Sequence, residues 1–89
     1  MKPSEIVSGG VYLKKRGATS WPRRVMAIHA GWVTYVDPWG WRQCSRPTFA
    51  HWALRALTDA ADRVAHANDL LAIARLAEAG PGFEIGPDH

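Results

Sequence analysis

Arg24-Val25-Met26-Ala27-Ile28-His29-Ala30-Gly31-Trp32-Val33-Thr34-Tyr35-Val36-Asp37-Pro38-Trp39-Gly40 reads as two β-rich runs with a tight turn between them and another after them. Residues 24–29 and 32–37 are rich in β-branched and aromatic side chains. Ala30-Gly31 closes them into a hairpin in which glycine supplies a positive φ. Asp37-Pro38-Trp39-Gly40 fits a type I turn, because the Asp side chain caps the turn and proline presets φ at the second position. Outward from this hairpin, residues 41–44 make the next strand and residues 11–15, after Gly9-Gly10, make the first. Gly17 to Ser20 with Trp21-Pro22 is a loop.

Alternation along the hairpin is apolar on both faces: Val25 and Ala27 against Met26 and Ile28, and Val33 and Tyr35 against Trp32, Thr34 and Val36. A sheet covered on both sides, or a small barrel with a helix outside, explains that pattern. The covering helices follow in sequence. Ser45 is an N-cap with Pro47 in the first turn, and Phe49, Trp52, Ala53, Ala56 and Leu57 recur at helical spacing, so a helix is expected over 46–57 with Phe49 and Trp52 as core anchors. Thr58-Asp59 offers a second cap before strong helix formers over 59–79, stopped by Gly80-Pro81. Residues 46–79 are read as one helix or two. The expected class is α+β, a four-stranded antiparallel meander or partly open barrel followed by these helices, in a single domain over 1–80 with a loose tail over 81–89. Val64, Leu70, Leu71, Ile73 and Leu76 form a broad apolar stripe, and a homodimer through the C-terminal helix is expected if that stripe exceeds what one sheet covers.

Five tryptophans occur in 89 residues, four of them between Trp21 and Trp41 and interleaved with Arg23, Arg24 and Arg42. Large aromatics compensate for the limited core of a small domain, and beside guanidinium groups they also make stacking surfaces. Trp52, with Trp32 or Trp41, is assigned to the core. Trp39, at a turn position that projects into solvent, and Trp21, in the loop, are assigned to a partner.

Charge is unevenly distributed. Residues 1–57 hold nine Lys/Arg against Glu5 and Asp37, a net +7, and residues 58–89 hold Arg63 and Arg75 against six acids, a net −4. A basic, aromatic front is the footprint of an anionic partner, and the candidate binding residues are Lys14, Lys15, Arg16, Trp21, Arg23, Arg24, Trp39 and Arg42. Bases would stack on Trp and Arg while Lys meets phosphate, which suits RNA or single-stranded DNA. Trp and Arg equally make hot spots at protein interfaces, so a host protein is the alternative partner.

Catalytic signatures are missing. His29, His51, His66 and His89 have no zinc-type spacing with the lone Cys44, and there is no phosphate-binding Gly-Lys-Ser/Thr loop, nucleophile elbow or His-Glu-x-x-His. The reading is therefore non-catalytic, without metal or cofactor. One cysteine permits no intrachain disulfide, and no stretch approaches the roughly 18 apolar residues of a membrane span, so a cytoplasmic setting away from membranes is expected.

The segments Val11-Tyr12, Arg24 to Ile28, Trp32 to Asp37 with Gly40, and Cys44-Ser45 with Thr48, Phe49, Trp52 and Ala53 resemble small uncharacterised bacterial and phage proteins. These look similar to Tudor- or KOW-like small barrels of the Src-homology-3-like type. The match covers residues 9–53 and rests mostly on structural positions. It implies a small barrel that binds nucleic acid, peptide or protein, and, as the alternative function, a phage or mobile-element inhibitor or adaptor of a host protein, of anti-defence type.

Overall fold

The computed structural model describes residues 1–14, 21–81 and 86–87. After a single 3-10 turn at Pro3–Glu5 come β1 (Val11–Lys14), β2 (Arg23–His29), β3 (Trp32–Asp37), β4 (Gly40–Ser45), α1 (Arg46–Trp52), β5 (Ala53–Ala56), α2 (Ala60–Ala65), α3 (Ala67–Ala79) and β6 (Gly86–Pro87). They build an α+β domain around one sheet of order β5-β1-β2-β3-β4-β6, antiparallel throughout except for the parallel pairing of β6 with β4.

The β2–β3 hairpin forms where expected, but both turn residues have positive φ, 49° at Ala30 and 80° at Gly31. That is the twist two-residue hairpins prefer, and an alanine there is strained. Ala30→Asn is therefore expected to raise stability by about 0.5–1 kcal/mol, seen as a higher urea midpoint at unchanged m-value. An unchanged or lower midpoint would contradict this.

Strict alternation is broken at Met26. Val25 pairs with Tyr35 and Ala27 with Thr34, so Met26 is an extra residue and the parity of β2 flips beyond it. Ile28, not Ala27, therefore joins Val25 on the core face, opposite Val33. The N-terminal segment ties down the backbone around this bulge: Gly9 N donates to Val25 O, Val25 N to Gly10 O and Ser8 Oγ to Met26 O.

Both faces of the sheet are covered. On one, Tyr12, Val25, Val33, Tyr35 and Cys44 pack with Ile6 and with Phe49, Ala50 and Ala53. Phe49 sits edge-on to Tyr12 at 5.6 Å and to Tyr35 at 5.3 Å between ring centroids, with Trp52 tilted against it at 5.5 Å. On the other face α3 lies across β2, β3 and β4, burying Ile73 and Val36. Trp41 Nε1 donates to Leu76 O (2.9 Å), a carbonyl in the last turn of α3 that also accepts from Gly80 N. Val64 and Leu71 stay exposed, so the apolar stripe divides between a sheet-facing part and a solvent-facing part.

The expected helix over 46–57 is shorter than its spacing implied. Ser45 caps it by accepting from Thr48 N, but at Ala53 the backbone turns extended (φ −76°, ψ 133°) and residues 53–56 pair with β1. Two demands coincide there. β1 carries an open edge whose polar groups need partners, and Ala53 and Ala56 serve that pairing as readily as a helix face, so tertiary pairing overrides helix propensity. The expected helix over 59–79 is likewise two helices, capped by the Asp59 carboxylate on Ala61 N and broken at His66. Arg55 clamps α2 through both Asp62 oxygens and holds that carboxyl below the usual carboxylate range. Within the tail expected to be loose, Gly86–Pro87 adds a strand to β4.

Tyr12 anchors the N-terminal segment. Its hydroxyl accepts from Val7 N (2.8 Å) and donates to Glu5 O (3.1 Å). A Cβ on Gly10 would lie 2.5 Å from that oxygen and 2.8 Å from ring carbons. Gly10→Ala is thus expected to cost about 1–2 kcal/mol by displacing the ring. A urea midpoint equal to that of the parent would show that the ring yields freely.

Candidate binding surface at one end of the sheet

Pairing of Tyr12 with Arg23 and of Arg24 with Val36 brings the end of β1, the start of β2 and the β3–β4 turn to the same end of the sheet. Lys14, Trp21 and Trp39 stand there. Trp21 (37 % exposed) and Trp39 (62 % exposed) contact each other edge to face, with centroids 4.7 Å apart and planes at 82°. The two tryptophans assigned to a partner from sequence therefore form one exposed pair.

Asp37 builds the turn that carries Trp39. Its Oδ1 accepts from Trp39 N (2.9 Å) and Gly40 N (3.0 Å), and its Oδ2 from Arg42 Nε (2.8 Å). The carboxylate is buried, and the neighbouring guanidinium compensates its charge. Asp37 thereby fixes the backbone of the aromatic turn and the position of Arg42 together. The turn-capping role was legible in sequence. The hold on Arg42 was not assigned, although the register gives it: Asp37 opposes Gly40 and Arg42 opposes Tyr35, which makes Asp37 and Arg42 diagonal neighbours on one face.

Other candidate residues separate. Arg23 is only 9 % exposed: its guanidinium carbon lies 4.1 Å from the Trp52 ring centroid, 4.6 Å from Tyr35 and 5.8 Å from Phe49. Its assignment to the surface is corrected by this placement, since a delocalised and weakly hydrated cation can stack on aromatic rings inside a core. Arg24 is half-buried on the opposite sheet face, beside Val36. Lys14 is exposed, and Lys15 and Arg16 lie outside the described residues. Trp41 and Trp52 are the partly buried tryptophans, whereas Trp32 is 52 % exposed at the far end of β3, so of Trp32 and Trp41 it is Trp41 that joins the interior.

Among the described residues, no group of three or more His, Cys, Asp or Glu side chains converges as metal ligands would, and no helix is long and apolar enough to cross a membrane. Comparison of the chain with protein-family models, with curated proteins and with solved structures returns no match.

Proposed function

We propose that this chain is a non-catalytic, cytoplasmic module that binds single-stranded nucleic acid at the sheet end carrying Trp21 and Trp39. The observation that carries the reading is the exposed tryptophan pair on a turn braced by a buried carboxylate, at the sheet end where exposed Lys14 also stands. Exposed indole held in place offers a base a stacking face without first being ordered, and stacking tolerates any sequence. The meander, with a helix-linked fifth strand returning to β1, supports a partly open small barrel of the Src-homology-3-like type as its scaffold.

A labelled 15-nucleotide oligothymidylate or oligouridylate at about 50 mM salt is expected to bind with a micromolar or lower Kd, with affinity falling as salt rises. Absence of binding under those conditions would overturn the proposal. One observation favours a second reading, an inhibitor or adaptor docking on a host protein: with Arg23 in the core and Arg42 held by Asp37, the tryptophan pair is more prominent than the charge around it, as at a protein hot spot. A complex captured from host lysate that survives nuclease treatment, together with no oligonucleotide binding, would select that reading.

A further inference from the structure

We propose that the open part of the sheet face on the α3 side, centred on Trp32, is an interface between two copies of this chain. The register defines that face. Val33 and Tyr35 pack in the core with Phe49, so Trp32, Thr34 and Val36 point to the side where α3 lies. Residues directly opposite one another share a face, which adds Ala27 and His29 from β2 and Gln43 and Ser45 from β4. α3 covers the row at the Trp39 end, where Val36 is buried and the Trp41 indole is bonded to Leu76. Beyond it lie two rows, Ala27-Thr34-Gln43 and His29-Trp32-Ser45. Ala27, His29 and Gln43 are exposed, and Trp32 stands among them on the middle strand, 52 % exposed.

Charge selects the occupant. None of these six residues is Lys, Arg, Asp or Glu, on a chain that carries 11 basic and 8 acidic side chains. Arg46, which follows Ser45, is turned to the other layer, where its Nη2 donates to the carbonyl of the core residue Ile6. A nucleic-acid strand would meet no cation for its phosphates on these rows. A two-fold interface sets a patch against itself, so a charged patch repels its copy and an uncharged one does not. The Trp21–Trp39 end, which holds Lys14, lacks that property. So do the helices, whose exposed Val64 and Leu71 share their surface with Arg63, Arg75 and Glu78. An aromatic anchor ringed by neutral polar groups is the composition of interface cores, from which charges are depleted. Three strands wide, the patch is about 14 Å across. That extent gives a dimer of the weak class, with a Kd on the order of 0.1 mM.

The test is sedimentation equilibrium of the full chain from about 10 μM to about 1 mM, without nucleic acid, so its outcome is independent of the nucleic-acid reading. The parent's weight-average mass is expected to rise from that of one chain toward that of two. Trp32→Ala should weaken association by about 10-fold or more, as loss of a central tryptophan does. Gln43→Glu is nearly isosteric and places one negative charge on each patch. It should weaken association by about threefold at about 50 mM salt and recover near 300 mM, a salt response that misfolding would not produce. Leu71→Ser, on the outer face of α3, should associate as the parent does. A parent mass constant over the whole range would overturn the proposal. So would association lost in Leu71→Ser and kept in Trp32→Ala, which would place the contact on the helix. A monomeric parent whose Trp32→Ala variant binds oligothymidylate more weakly would give the face to nucleic acid instead.

Discussion

Arg23→Ala is expected to lower stability by about 3 kcal/mol, visible as a fall in Tm of roughly 15 °C. The guanidinium is buried against Trp52 and Tyr35 at 4.1 and 4.6 Å, so truncation removes a desolvated cation–π stack and leaves a void that α1 and β3 cannot fill without shifting. A domain of this size has a total stability of only about 4–13 kcal/mol, so one side chain accounts for a large part of it. Arg23→Lys should recover only part of the loss, because a compact, strongly hydrated ammonium neither spreads over a ring nor tolerates the site as a planar cation does. A Tm within about 3 °C of the parent for Arg23→Ala would show that the stack contributes nothing. For the same reason, reduced oligonucleotide binding by an Arg23 variant would be evidence of unfolding before it was evidence of contact.

Trp39→Ala is the complementary case: binding to single-stranded oligonucleotide is expected to weaken by about 10–100-fold, the value of about 1–3 kcal/mol for one stacked base, while Tm stays within a few degrees. The separation follows from the geometry. Trp39 is 62 % exposed, and the turn beneath it depends on backbone N–H groups bonded to Asp37, which alanine retains. The slope of log affinity against log salt should be unchanged, because the lost contact is aromatic, whereas Lys14→Ala should reduce that slope by about one. Trp21→Ala should weaken binding as well, and the double variant should lose less than the sum of the single losses, since the rings touch. Wild-type affinity in Trp39→Ala would remove the aromatic pair from the interface.

Local chemistry made much of the fold legible. The Ala30-Gly31 hairpin, the Asp37 turn, the Ser45 and Asp59 caps and the Gly80 stop all follow from residue type and spacing, and all are present. The apolar run on both faces of the hairpin implied a sheet covered on both sides or a small barrel with a helix outside, and both faces of the sheet are covered. What escaped the sequence was set by long-range pairing. Residues 53–56 carry a helical spacing yet complete the edge of β1, and Gly86–Pro87 finds β4 from the far end of the chain. Met26 escaped because one inserted residue reverses the parity of everything after it on β2, which no alternation count can locate. At the candidate surface, the exposure of Trp39 was legible because its position in a tight turn projects into solvent, and that of Trp21 because it lies in a loop. Arg23 was not, since an arginine among aromatics has the same letters whether it stacks on them in the interior or displays itself beside them.

The bond from the Trp41 indole N–H to Leu76 O joins the sheet to the last turn of α3. Its proton is sheltered only while the helical layer lies on the strands, so its exchange with solvent is a clock for layer opening. Backbone amides of β3, bonded on both sides, exchange only when the sheet itself comes apart. The ratio of the two rates separates undocking of the acidic helices from global unfolding, within one unmodified molecule.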